Sequence, residues 1–100
     1  MNEIIDKFVK EFCKKYYINI DTLMSETRDP LITKMRYIVI DSIYNNFNSV
    51  ITYSKIAKYF SRTVGFVQHA RTQSNNLLSV NDKYATRIKQ ILDEIKVEYD

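Results

Sequence analysis

The sequence predicts an all-α fold, a compact bundle of about five to six helices, in one domain over residues 1–100. Three observations carry this. The 100 residues hold a single glycine and a single proline, whereas an all-β chain needs many turns with positive φ. Apolar residues recur at helical spacing in several separate segments. Good helix-starting residues, Asn2, Asp29-Pro30, Thr52 and Thr63, stand before those segments. Apolar content of 45% beside 27% charged residues is ordinary globular composition, enough for a core and unlike a disordered chain.

Ile4, Ile5, Phe8, Val9, Phe12, Cys13 and Tyr16 form one stripe of a first helix over 3–17, capped by Asn2. Lys7, Lys10, Lys14 and Lys15 lie mostly off it, as a solvated face does. Cys13 falls in the apolar pattern and is expected to be a buried, inert thiol. Residues 18–24 are apolar but short. Asp21 is expected to cap a single turn that tucks in Leu23 and Met24. The polar residues 25–29 form a connector with Arg28 as its one cation. Asp29-Pro30 starts a helix to about Phe47. Its buried face is Leu31, Met35, Ile38, Val39, Ser42, Ile43 and Phe47, with Ile32 and Ile40 beside it. Lys34 and Arg36 sit in its first turns, where cations oppose the helix dipole. Local stability does not explain them, and a role outside the helix is expected. Thr52 caps a helix Tyr53–Phe60 and Thr63 caps another to about Leu78, burying Val67, Ala70 and Leu77. Residues 79–82 break the chain. A last helix over about 82–98 repeats Tyr84, Ile88, Ile91, Leu92 and Ile95.

Thr52 to Arg71, inside the span 52–78, fits a DNA-binding helix-turn-helix. With Tyr53 as position one, Ile56 and Ala57 are positions four and five. Phe60 is eight, Val67 fifteen and Ala70 eighteen. All are apolar, as locking two crossed helices requires. Position nine is usually Gly and is here Ser61. The frame turns Thr63, Val64, Gly65, Gln68, His69 and Thr72 outward. Gln pairs well with adenine, and an apolar or Thr methyl packs on a thymine methyl. A plain helical hairpin in an all-α core produces the same apolar spacing.

The one glycine, Gly65, sits in a helix's first turn, where Gly costs stability. Close approach of a ligand to the backbone would justify it, and so would a turn displaced to positive φ. His69 is the only histidine. It reads as a packed side chain or as a phosphate contact. One His and one Cys cannot assemble a zinc site. No catalytic base with a partner and no Gly-rich phosphate loop is legible. No enzyme activity and no cofactor are expected.

Residues 34–71 carry Lys34, Arg36, Lys55, Lys58, Arg62 and Arg71 against Asp41 alone, a charge of +5. The flanking segments 1–33 and 72–100 are each −1, counting five cations against six acids and four against five. The positive charge is gathered at the motif, as a polyanion partner would favour. Charged residues throughout 1–20 argue against a signal peptide, and no apolar run approaches a membrane span. No membrane association is expected, and a cytoplasmic setting is.

The stretches VKEFCKKYYINIDTLMSETR, TKMRYIVIDSIYNNF and ITYSKIAKYFSRTVGFVQHA bring a family into view. The chain resembles, along nearly its whole length, the C-terminal DNA-binding domain of the bacterial replication initiator DnaA, domain IV, a helix-turn-helix fold of the Trp-repressor-like kind. The family carries an Ile-Gly step, an aromatic, a Gly-Arg turn and a closing Val-x-His-Ala. Here stand Ile56-Ala57, Phe60, Ser61-Arg62 and Val67-Gln68-His69-Ala70. The resemblance implies double-stranded DNA as partner. Major-groove contacts fall on Arg62, Thr63, Gly65, Phe66 and Gln68. Phosphate or minor-groove contacts fall on Arg28, Lys34 and Arg36. The family's Asp-His-Thr-Thr after the Arg is here Thr63-Val64-Gly65-Phe66, so the family's usual target is not expected. The family's ATPase module is absent from these residues.

The reading is sequence-preferring duplex binding, serving replication control or transcriptional regulation, as in a small phage-type protein. Lys55, Lys58 and His69 complete the candidate contacts. The alternative is a module that keeps the fold but not DNA reading and meets a protein partner through Val64 and Phe66.

Overall fold

The computed structural model describes residues 2–97. Six helices follow one another: α1 (Glu3–Tyr16), α2 (Ile20–Met24), α3 (Pro30–Phe47), α4 (Tyr53–Phe60), α5 (Val64–Ser79) and α6 (Lys83–Asp93). No strand occurs among the described residues. Each helix starts on a side chain that accepts hydrogen bonds from its orphan N–H groups. Asn2 takes Ile5 N–H, Asn19 takes Asp21 N–H, and Asp29 takes those of Leu31 and Ile32. Thr52, Thr63 and Asp82 do the same for α4, α5 and α6. The short α2 is therefore capped by Asn19 rather than Asp21, two residues earlier than the sequence suggests. Asp21 is instead a first-turn acid, where it complements the dipole.

Three helix ends need left-handed backbone, and none uses the glycine. Tyr17 (φ 59°) closes α1, Ser61 (φ 54°) closes α4, and Asn81 (φ 56°) follows α5. The scarcity of glycine thus reflects three non-glycine residues held in a conformation that costs them energy.

The central element is α3, which packs against all five other helices. Met35, Ile38, Val39, Ile40 and Ile43 are buried along it, and Phe47 meets Phe8 edge-on with ring centroids 5.5 Å apart. Helix α1 contributes Ile5, Phe8, Val9, Phe12 and Cys13, while Lys7, Lys10, Lys14 and Lys15 stay exposed. Burial pushes the Cys13 thiol up to about 11, an inert state at neutral pH.

Several expectations change. Helix α6 ends at Asp93, though Ile95 beyond it is still buried. Residue 98, where the last helix was expected to end, lies outside the described residues. Tyr84 is 45% exposed rather than core: it stands in the first turn of α6 with the Lys34 and Lys83 ammonium groups over its ring. Leu77 is only half-buried, and Ser74 takes a core position of α5 in its place. Ile51, in the loop before α4, is an unexpected core residue.

Candidate nucleic-acid interface

Helices α4 and α5 are separated by three residues, 61–63. The chain turns there because Ser61 adopts left-handed backbone and Arg62 N–H returns to the Ala57 carbonyl at 2.9 Å. That pair of features is a helix C-terminus closed by a left-handed residue. Thr63 then starts α5, its Oγ1 accepting Phe66 N–H at 3.1 Å. Ile56, Ala57, Phe60, Val67 and Ala70, the framework positions of the motif, are all buried. Thr63, Val64, Gly65, Gln68, His69 and Thr72 are all exposed. The first two turns of α5 thus present a continuous outer stripe.

Gly65 keeps ordinary helical backbone with no positive φ. The displaced-turn reading of this residue is excluded, since Ser61 supplies the left-handed turn. The Gln68 side chain makes no hydrogen bond among the described residues. His69 stands edge-on to Tyr37, centroids 5.5 Å apart, with Nε2 3.4 Å from the Tyr37 hydroxyl. It is exposed, yet oriented by its neighbour. Phe66 is half-buried between Tyr37, at 6.1 Å, and the Arg62 guanidinium, 5.4 Å from its ring centre. That cation–π contact, worth about 0.5–1 kcal/mol at such sites, holds Arg62 over the start of α5.

The cations divide into two groups. Arg36 is 5% exposed. Its Nε donates to the Leu23 carbonyl at 2.9 Å and its Nη2 to the Ser25 carbonyl at 2.7 Å. These acceptors are carbonyls at the end of α2 that lack helical partners. Arg36 is therefore a buried strut between α2 and α3, and is not placed as a surface phosphate contact. Burial, together with the Arg62 charge, lowers its pKa. Lys34 is also engaged. Its Nζ meets Asp82 at 2.7 Å and lies 5.7 Å from the Tyr84 ring centre, tying α3 to the start of α6. This outside role offsets the unfavourable dipole position of both residues.

Arg71, counted in the basic segment, belongs to the same engaged group. Its Nε donates to Asp41 at 2.9 Å, Nη1 to the Tyr53 hydroxyl at 2.7 Å and Nη2 to Asn45 at 3.0 Å. The guanidinium also covers the Tyr44 ring at 4.5 Å. Asp41 is buried and accepts Ser74 Oγ at 3.0 Å through its other oxygen. Burial disfavours the Arg71 charge, but the bonds to Asp41 and Tyr53 outweigh it and raise its pKa. This network joins α3, α4 and α5, and sequence reasoning missed it. The signal was present: Asp41 is the only acid between residues 30 and 81.

Four of the candidate cations remain toward solvent. Arg28 and Lys58 are exposed and unpaired among the described residues. Lys55 is exposed, with Nζ on the Val50 carbonyl at 3.0 Å. Arg62 is half-buried, its Nη2 3.5 Å from the Ser25 carbonyl. Lys55 and Lys58 line a cleft of about 470 Å³ with Asn2, Tyr59 and Ser61, beside the turn.

No known protein family, curated protein or solved structure matches the chain. No helix among the described residues is long and apolar enough to cross a membrane.

Proposed function

We propose that the chain binds double-stranded DNA with α5 in a major groove, in the manner of the initiator domain it resembles. The observation that carries this reading is the α5 stripe. Val64, Gly65, Gln68, His69 and Thr72 are all exposed on a helix whose framework positions are all buried. A rigid helix presenting exposed polar and apolar side chains is what reading base edges needs. Arg62, Lys55, Lys58 and Arg28, the candidate cations left toward solvent, supply phosphate contacts. Lys34 and Arg36 hold the scaffold instead. Replication control or transcriptional regulation is the setting such a domain suits.

A second reading, docking of a protein partner on the same stripe, draws support from the engagement of Lys34, Arg36 and Arg71 in contacts within the fold. Val64, 38% exposed, would be its apolar anchor. Phe66 would contribute less, being packed against Tyr37.

Titration with random-sequence duplex at several salt concentrations separates the two. DNA binding predicts affinity that falls steeply with salt, and Lys58→Ala should lower the salt slope by about 1. Gln68→Ala should cost about 1–3 kcal/mol at sites selected from a random pool and little elsewhere. Absence of binding at low salt would leave the protein-partner reading.

A further inference from the structure

The sequence marks Tyr37 neither as core nor as a contact. It is half-buried on α3, and its ring meets two side chains of α5. The Phe66 ring lies 6.1 Å away between centroids, tilted by 48°, and the His69 ring 5.5 Å away, edge-on at 87°. Aromatic rings attract one another at these separations. The Tyr37 hydroxyl is also 3.4 Å from His69 Nε2. That is long for a hydrogen bond, so the ring contact carries more of the hold. Phe66 in turn carries the Arg62 guanidinium, 5.4 Å from its ring centre. Among the described residues, that guanidinium makes one hydrogen bond, the 3.5 Å reach to the Ser25 carbonyl. One α3 side chain thus stands behind both the cation at the turn, through Phe66, and the histidine of the exposed stripe.

Resting on the DNA reading above, we infer that Tyr37 is a positioning residue for the interface. It sets Arg62 through Phe66, and it sets His69 directly. An unbraced arginine or histidine samples several rotamers, and ordering it on the duplex lowers affinity. Bracing both side chains in the free protein removes part of that cost. Phe66 then serves as a bridge, in place of the major-groove contact that the resemblance implies.

The test measures affinity for a duplex selected from a random pool, at several salt concentrations, in double-variant cycles. Tyr37→Leu, with folding confirmed by circular dichroism, should bind several-fold more weakly and show a shallower salt slope. Tyr37→Phe keeps the ring and should stay close to wild type in both. In an Arg62→Ala background, Tyr37→Leu should no longer change the salt slope. Phe66→Leu cuts the same series of contacts from the other side and should reproduce that loss of slope, so the test survives a failure of Tyr37→Leu to fold. The inference is overturned if the folded Tyr37→Leu keeps wild-type affinity and slope, if Tyr37→Phe is as weak as Tyr37→Leu, or if the effects of Tyr37→Leu and Arg62→Ala simply add. A merely structural role for Tyr37 would lower the melting temperature and leave the effects additive. A wild type that binds no duplex even at low salt sinks the DNA reading itself, and the inference with it.

Discussion

Arg71 shows how much can hang on one side chain. It bonds to Asp41, Tyr53 and Asn45 and covers Tyr44, so it fixes α5 against both α3 and α4. Removing it strands a carboxylate that is 3% exposed, with Ser74 as its remaining partner. Arg71→Ala should therefore destabilise the fold by about 3 kcal/mol, read by urea denaturation. Asp41→Asn should recover part of that loss in the double variant, because the stranded charge is then gone. Cys13 gives a simpler check. With its pKa at about 11 and its thiol buried, it should resist iodoacetamide at pH 8 in the native state and react readily in denaturant.

At the scale of the element, boundaries are set by capping chemistry at both ends. Ser61 is the pivot of the motif, and its left-handed backbone lets α5 leave α4 within three residues. A glycine there removes Cβ strain but gains freedom when unfolded. Ser61→Gly should on balance raise stability by about 0.5–1 kcal/mol. Thr63→Ala removes the cap of α5 and should cost about 1 kcal/mol. Fraying at the first turn of α5 should accompany it, visible as faster amide exchange at Phe66 and Val67. Since that turn begins the exposed stripe of α5, duplex affinity should fall with it.

For the whole molecule, charge on the surface differs from charge along the chain. The basic segment 34–71 loses three of its six cations to the scaffold: Arg36 to carbonyls, Lys34 to Asp82 and Arg71 to Asp41. The salt dependence of DNA binding should accordingly be modest, set by Arg28, Lys55, Lys58 and Arg62. Stability should also depend on acid. Asp6 is held below the usual carboxylate range, first by its hydrogen bond to Lys10 and then by Tyr59, despite some burial. Asp82 is lowered by Lys34 and by Ala85 N–H. A depressed folded pKa means stability fully present above the unfolded value, about 4, and lost as pH falls through the folded value. Asp6→Asn should lower stability at pH 7 and flatten the loss seen on acidification below about pH 4.

The sequence by itself determined the starts of the longer helices, because periodicity and caps are local, but not the cap of α2 or the end of α6. Pro30–Phe47 and Tyr53–Phe60 lie where Asp29-Pro30, Thr52 and the apolar stripes place them. It also determined the inward and outward faces of the motif, since burial of Ile56, Ala57, Phe60, Val67 and Ala70 follows from a 3.6-residue repeat. Only the tertiary structure decided which cations are free. Arg36 and Ser25, Lys34 and Asp82, and Arg71 and Asp41 are each more than ten residues apart, and no local pattern pairs them. The same holds for Gly65: its position is plain in the sequence, but only packing reveals that the space beside it is open.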